Sequence, residues 1–158
     1  MKPWFPILLL ASILPSTPAL AEPASPLLGT WAVDIDTLPI PPQARPKSVT
    51  MTYSDAGGGK WRTHVEVVLP DGKTVQATST YVPDGTPVAV EGNLEADTAA
   101  TRIPEPGVMV TALALGGVPG SMRTYTVSAD GQRMTETVVF FTSDGTPGMR
   151  TNRFNRVR

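Results

Sequence analysis

The feature that most constrains the fold is the segment at residues 60–82, which reads KWRTHVEVVLPDGKTVQATSTYV. Apolar and polar side chains alternate on both sides of the Pro-Asp-Gly sequence at residues 70–72, as in two strands joined by a tight loop. Pro70 presets φ for a type I turn, and Gly72 takes the left-handed conformation that closes the loop with a bulge. The segment therefore predicts a β-hairpin with a three-residue loop.

The length of this loop decides which side chains of the hairpin share a face. A three-residue loop pairs Trp61 with Tyr81 and Val65 with Ala77, which gathers apolar and small side chains on one face. A two-residue Asp-Gly loop would instead set Val65 against Thr78 and mix the two faces. Because a slip of one residue turns every side chain to the opposite face, we expect the register of the longer loop.

Further stretches with strand composition follow along the chain. The Val-Pro-Asp-Gly sequence at residues 82–85 repeats the form of the first turn, so a third strand is expected to return after it. Besides the hairpin, expected strands cover residues 27–35, 48–53, 88–90, 98–103, 108–115, 122–128, 133–142 and 149–157. Short strands with regularly spaced turns are typical of all-β sandwiches and barrels. We predict an all-β, antiparallel, up-and-down β-barrel of about 9–10 strands, lipocalin-like in architecture.

Residues 37–46 interrupt this pattern with four prolines. Proline cannot donate a hydrogen bond to a sheet, so this segment is not a central strand. We expect an extended connection that crosses the outside of the barrel or covers one of its ends.

The start of the chain has the features of a secretory signal peptide. Lys2 supplies a basic start, residues 7–14 are apolar, and the sequence Ala-Leu-Ala at residues 19–21 gives the small-residue cleavage pattern. The apolar run is too short for a membrane span. We therefore expect cleavage after Ala21, a periplasmic or secreted location, and a single domain at residues 22–158.

Composition argues against several classes of function. The formal net charge is −1, and removal of Lys2 makes it −2, so the basic excess of a nucleic-acid-binding domain is missing. The chain has no cysteine and one histidine, which excludes disulfides, thiolate chemistry and His-cluster metal sites. Neither a Gly-x-Ser-x-Gly elbow, a phosphate loop nor a His-Glu-x-x-His motif is present. The sequence therefore predicts no enzyme, cofactor or metal site.

A barrel of this size is either filled by side chains or holds one small ligand. The expected inward face of the hairpin is only modestly bulky, with Val65 in its middle and Trp61 and Tyr81 at one end. This pattern is compatible with a hollow centre and an aromatic mouth. The alternative is a centre filled by large apolar side chains, namely Met109, Leu113, Leu115, Met122 and Phe140.

The tripeptide Gly29-Thr30-Trp31 on the first expected strand matches the Gly-x-Trp signature of lipocalins and related calycin barrels. The order of hairpins also resembles small exported bacterial lipocalin-like proteins, a group without an assigned activity. Other recognisable pieces lie at residues 46–50, 84–88, 92–93, 96–98 and 128–131. A C-terminal helix, a disulfide and a second lipocalin motif are not evident.

The resemblance implies that the signature tryptophan, Trp31, packs beneath the barrel against a late arginine. We expect Arg153 to be this partner, because it points away from the strand face that holds the other candidates. That face carries Arg150, Asn152, Phe154, Arg156 and Arg158.

Glu136 is the charged residue with the clearest functional interpretation, since it is in step with Val138 and Phe140 on an otherwise apolar stripe. A carboxylate that points into an apolar barrel is unfavourable unless a cation pairs with it. It could orient a ligand or act as a general base. Alternatively, it faces solvent or pairs with Arg123 or Tyr125 across the hairpin.

These patterns predict an exported protein that binds a small, mostly apolar molecule inside the barrel. We expect the ligand to enter at the end marked by Trp61 and Tyr81 and to be oriented by Glu136 or Arg123. The candidate ligand-binding residues are Tyr53, Trp61, Val65, Tyr81, Met109, Arg123, Glu136 and Phe140. The alternative is an envelope interaction or structural module with a filled barrel, which works through its outer surface, the Pro-rich segment or the Arg-rich last strand.

Overall fold

The computed structural model describes residues 24–92 and 94–157, so the expected signal sequence at residues 1–21 lies outside the described residues. No helix in the described ranges is long and apolar enough to cross a membrane. The described residues form eleven strands: β1 (Gly29–Val33), β2 (Ser48–Gly57), β3 (Lys60–Val68), β4 (Thr74–Tyr81), β5 (Asp84–Ala89), β6 (Glu91–Gly92), β7 (Thr98–Glu105), β8 (Val108–Leu115), β9 (Val118–Val127), β10 (Arg133–Phe141) and β11 (Pro147–Arg156).

All eleven strands belong to one antiparallel sheet that curls into a nearly closed up-and-down barrel. The strand order is β5-β7-β8-β9-β10-β11-β1-β2-β3-β4-β6, so the first and last strands of the chain are neighbours. The predicted fold class is confirmed. The strand number exceeds the predicted one because β5 and β6 are separate short strands at the two edges of the sheet.

The hairpin of β3 and β4 has the predicted register, with Trp61 opposite Tyr81 and Val65 opposite Ala77. The loop closes through two backbone hydrogen bonds, from Leu69 N to Lys73 O (2.8 Å) and from Gly72 N to Leu69 O (2.9 Å). Gly72 has a φ of +90°, as the bulged loop requires. The register follows from local chemistry alone.

The four Asp-Gly turns share one hydrogen bond, in which the Asp carboxylate accepts from the backbone N–H two residues later. Asp side chains have this turn preference because they imitate a backbone turn. The four donor and acceptor pairs are Lys73 and Asp71 (3.0 Å), Thr86 and Asp84 (2.8 Å), Gln132 and Asp130 (3.0 Å), and Thr146 and Asp144 (3.0 Å).

The turn at residues 82–85 does not produce the expected hairpin, and this prediction was wrong. Strand β5 pairs with β7, and the two-residue strand β6 pairs with β4 in its place. Pro87 lies within β5 and cannot donate to a second neighbour, which suits an edge strand. Gly92 follows the backbone of Gln76 so closely that a Cβ would lie 2.1 Å from Gln76 O.

The Pro-rich connection between β1 and β2 contains two short 3-10 turns, at Ile35–Thr37 and Pro42–Ala44. A hydrogen bond within the connection stabilises its path, since Arg45 Nε donates to Ile40 O at 3.0 Å. Leu38 in this connection lines the cavity inside the barrel. The segment therefore covers one end of the barrel, which is one of the two positions expected for it.

The buried apolar side chains concentrate at the barrel end that holds the turns at residues 57–60, 105–108 and 128–132, here called the core end. The opposite end, with the turns at residues 69–73, 116–117 and 142–146, is called the cavity end. The core consists of Leu27, Trp31, Met51, Tyr53, Met109, Tyr125, Met134 and Phe154. Trp61 packs against this cluster.

Trp31 packs against Arg156, and not against Arg153 as the sequence led us to expect. Trp31 pairs with Arg156 across β1 and β11, and the Arg156 guanidinium carbon lies 4.1 Å from the Trp31 ring centroid. Side chains of paired residues project on the same side of a sheet. Arg153 is exposed because β11 turns Asn152 and Phe154 inward, and the residue between them must point outward.

Candidate functional site

The barrel interior holds a cavity of about 480 Å³ between the core and the cavity end. This volume lies within the range of ligand pockets in proteins, which is roughly 300–1,000 Å³. Connecting segments contribute Leu38, Leu69, Val90, Leu94, Glu95 and Ala96 to its lining, and strands contribute the rest. The interior is therefore partly filled at one end and hollow at the other.

One wall of the cavity is mainly aliphatic and comes from β2, β3 and β4. It consists of Val49, Met51, Val65, Val67, Val75 and Ala77, together with the hydroxyl-bearing Thr63, Thr78 and Ser79. The strand period of two places these residues on the inward face, while polar side chains such as Thr50 and Glu66 take the outward positions. This wall offers an apolar surface and no charge.

The opposite wall is polar and comes from β9, β10 and β11. Arg123 Nη1 donates to Glu136 Oε1 at 3.2 Å, and Asn152 Nδ2 donates to Glu136 Oε2 at 2.6 Å. Glu136 is only 2 % exposed. A carboxylate buried to this degree requires a cation and hydrogen-bond donors, and both are present here.

Arg123 connects this buried carboxylate with the cavity end. Its Nη2 donates to Glu95, which lies on the segment between β6 and β7 and is half-exposed. Burial by itself would lower the pKa of Arg123, but Tyr125, Glu95 and Glu136 together raise that pKa above its usual value. Arg123 is therefore a permanent cation held between two carboxylates.

Tyrosines form the floor of the cavity, where it meets the core. Tyr53 and Tyr125 pack edge to face, with ring centroids 6.2 Å apart. Burial raises the pKa of both phenols well above the ordinary value, and the neighbouring Glu136 raises the pKa of Tyr125 further. The floor is thus neutral at physiological pH.

Two buried polar atoms of this region have no hydrogen-bond partner among the described residues: Tyr53 Oη and Asn152 Oδ1. The residues that carry them line the cavity. Buried polar groups in proteins nearly always have a partner, so these two atoms mark the polar wall and the floor as incomplete.

The structure brings together five of the eight residues predicted to contact a ligand. The cavity is lined by Tyr53, Val65, Met109, Arg123 and Glu136. Glu136 is buried and pairs with Arg123 across the hairpin, as the structural interpretation of this residue expected, while its role towards a ligand stays a prediction.

The other three predicted residues do not line the cavity. Trp61 packs against the core, and the buried Tyr81 shares a hydrogen bond with Thr63 Oγ1 at 2.8 Å. Phe140 lies over Gly148, where a Cβ would be only 2.6 Å from its ring, and Arg150 stacks on it. These contacts are ordinary packing.

The mouth expected at Trp61 and Tyr81 is on the wrong end. Both residues belong to the core end, which Leu27 and Trp31 fill completely, as neither has any exposed surface. The cavity instead extends towards the end where Leu38, Leu69 and Leu94 lie.

Sequence reasoning missed Asn152, Glu95 and the leucines of the connecting segments. Asn152 could have been found, because it shares its strand face with the apolar Phe154 and such a face points inward. Glu95 and Leu94 lie outside regular strands, where no periodicity indicates direction.

The charged groups of this site are paired with one another, and the phenols of Tyr53 and Tyr125 are neutral. Among residues 24–92 and 94–157 no cluster of His, Asp and Glu side chains could hold a metal ion. Comparison with protein-family models, with curated proteins and with solved structures found no match to this chain. The functional argument therefore depends on the geometry of the cavity.

Proposed function

We propose that this protein binds a small, mostly apolar molecule inside its barrel. The observation that carries the proposal is the cavity of about 480 Å³, which is aliphatic on one wall and polar on the other. Such a cavity favours an amphiphilic ligand whose apolar part lies on the β2–β4 wall and whose polar part meets Glu136, Arg123 and Asn152. Access is from the cavity end, beside Leu38 and Leu94.

The proposal includes export and a lipocalin-like relationship. The basic start, apolar stretch and Ala-Leu-Ala sequence at residues 1–21 support export. The Gly-x-Trp sequence, the nearly closed barrel and the arginine stacked on Trp31 support a lipocalin-like protein. In this proposal the protein is a carrier that works outside the cytoplasm.

A second candidate function is docking to another macromolecule through the outer face of the barrel. A row of apolar residues crosses four neighbouring strands there, formed by Ala112, Met122, Val139 and Met149. Met122 is 54 % exposed and Met149 is 70 % exposed. Exposed apolar surface of this kind is found at interaction sites, and its test is chemical cross-linking of the protein in envelope fractions.

The proposed cavity binding is tested with the apolar fluorophore N-phenyl-1-naphthylamine. Its emission rises when it leaves water, so titration of the protein gives a dissociation constant. We expect saturable binding, and native mass spectrometry of protein purified from its host should show a bound small molecule. No saturable binding to the folded protein would contradict the proposal.

A matched pair of variants on β4 locates the bound fluorophore. Ala77 lines the cavity, whereas Thr80 on the same strand is exposed. Ala77→Phe fills the cavity and should weaken binding by at least about ten-fold, while Thr80→Phe should leave it unchanged. Equal effects of the two changes would place the fluorophore on the outer surface.

A further inference from the structure

We propose that the cavity selects an electrically neutral, apolar molecule with a hydrogen-bond donor, such as an alcohol, and discriminates against a carboxylate on the same apolar chain. This inference rests on the proposed function, because it names the ligand class of the same cavity.

The side-chain oxygen of Asn152 is buried and has no hydrogen-bond donor among the described residues. Asn152 Nδ2 donates to Glu136 Oε2 at 2.6 Å, and because a carboxylate can only accept, this bond fixes the orientation of the amide. Asn152 Oδ1 is then left buried with no donor among the described residues. Asn152 lines the cavity, so an O–H or N–H group of a ligand is the donor that would complete it.

The hydroxyl of Tyr53 is buried on the cavity floor and has no hydrogen-bond partner in the part of the chain that the structure describes. A hydroxyl both donates and accepts, so it can bond to an alcohol oxygen or to its hydrogen. Burial raises the pKa of Tyr53 well above the ordinary value, which keeps the phenol neutral and able to donate. Both incomplete groups therefore fit a small hydroxyl-bearing ligand.

The charges around Arg123 disfavour a carboxylate on the ligand. Of the described residues that line the cavity, Arg123 is the one cation, and its guanidinium already contacts both Glu95 and Glu136. A ligand carboxylate would have to displace Glu95 or stand as a third negative charge beside one positive charge. In a site of low dielectric constant such an arrangement is unfavourable. A neutral donor adds no charge to this wall.

A protonated amine is the remaining kind of donor. It could donate to Asn152 and would balance the excess of carboxylates. However, its ammonium must lose a full hydration shell to enter a cavity whose other wall is aliphatic, formed by residues such as Val49 and Val67. The neutral donor avoids this loss, so the proposal commits to it.

The test uses three ligands with one apolar chain and different head groups: 1-decanol, decanoate and decylamine. Each ligand is titrated at pH 7 against the protein with bound N-phenyl-1-naphthylamine, at concentrations below those at which the ligand aggregates or separates from water. Because the chain is common, differences in affinity report on the head group. We expect 1-decanol to bind at least about ten-fold more tightly than decanoate, the effect of roughly one net hydrogen bond.

The possible outcomes separate this inference from the proposed function. If decanoate or decylamine binds as tightly as 1-decanol, the inference is overturned while binding in the cavity stands. If the fluorophore binds but none of the three ligands displaces it, the inference is likewise overturned. If neither the fluorophore nor any of the three ligands binds the folded protein, the proposed function fails with it.

Two variants of β11 test whether Asn152 contributes to the preference for 1-decanol over decanoate. Asn152→Leu removes the acceptor at similar volume, so the preference for 1-decanol over decanoate should fall, while the part of the preference that arises from the charges of Glu95, Arg123 and Glu136 should remain. Asn155→Leu, at an exposed position of the same strand, should keep the wild-type ratio. An unchanged ratio in folded Asn152→Leu would overturn the assignment. If Asn152→Leu does not fold, the comparison of the three ligands on the wild-type protein still decides the inference.

Discussion

Arg156 closes the core end of the barrel by stacking on Trp31, with the guanidinium carbon 4.1 Å from the ring centroid. Its Nε donates to Gly131 O at 2.6 Å and its Nη1 to Leu28 O at 2.8 Å, while Nη2 donates to Pro26 O. One side chain thus holds the segment before β1 and the turn after β9 over the core.

Arg156→Ala should therefore destabilise the protein by about 3 kcal/mol, since three charge-assisted hydrogen bonds and the cation–π contact are lost. The measurement is equilibrium unfolding in urea, followed by tryptophan fluorescence. Arg153→Ala is the matched control, because Arg153 is an exposed arginine of the same strand and should matter by less than about 0.5 kcal/mol. A larger loss in Arg153→Ala would refute this assignment.

Gly29 makes room for this arginine. It has a φ of +121°, and a Cβ at this position would lie 2.6 Å from Arg156 Nη1. Gly29→Ala should cost about 2 kcal/mol or more, as it combines backbone strain with displacement of the guanidinium.

A double-mutant cycle separates the two contributions of Gly29. In the Arg156→Ala background there is no guanidinium for the new Cβ to displace. Gly29→Ala should therefore lower the free energy of unfolding by less there than in the wild type. Gly58→Ala is the control for backbone strain alone, because Gly58 has a φ of +61° and open space around it. Strict additivity of Gly29→Ala and Arg156→Ala would contradict the steric account.

The part of the fold that sequence predicts well is the part decided by neighbours in the chain. The β3–β4 register depends on Pro70 and Gly72 within one loop, and it was predicted residue by residue. The pairing of β5 was mispredicted because the same Pro-Asp-Gly sequence at residues 83–85 leads into a strand whose partner, β7, is determined by distant contacts.

The site was only partly predictable for the same reason. Period two correctly separates Arg153 from Arg156, but it does not say which of the two faces points inward. That choice follows from the pairing of β11 with β1, which joins opposite ends of the chain. The position of the cavity likewise depends on Leu27, which is fully buried at the core end and carries no local signal for being so.

The polar wall makes a prediction about stability. Arg123→Met leaves the carboxylate of Glu136 buried without its cation, so it should destabilise the protein by about 3–5 kcal/mol. Adding Glu136→Gln removes the charge and keeps an acceptor for Asn152, and the double variant should recover part of this loss. Urea unfolding measures all three proteins.

The control for this pair is Lys73→Met, which removes an ion pair of 3.3 Å between Lys73 and Asp71 at the surface. Both partners are more than half exposed, so the loss should stay below about 0.5 kcal/mol. If Arg123→Met costs no more stability than Lys73→Met, then water reaches Arg123 and Glu136, and the burial of this ion pair in the polar wall is contradicted.

The three tyrosines of the chain predict a distinct response to alkali. Tyr53, Tyr81 and Tyr125 are all buried, and burial raises the pKa of each above the ordinary value of 10.0. Below pH 10 the phenols are neutral in the folded and the unfolded chain, so their effect on stability is constant. Above this pH the unfolded chain loses these protons first, and the unfolded state is favoured.

Stability should therefore fall as pH rises above 10, by roughly 4 kcal/mol per pH unit while the three phenols stay protonated in the folded protein. Absorbance at the phenolate band and circular dichroism, followed together during alkaline titration, should change in one shared transition. Tyr53→Phe should make the decline shallower by about a third without loss of stability at neutral pH, because Tyr53 Oη has no partner to lose among the described residues. Phenolate absorbance that rises near pH 10 before the fold is lost would show that solvent reaches these hydroxyls, and the cavity floor would then be wet.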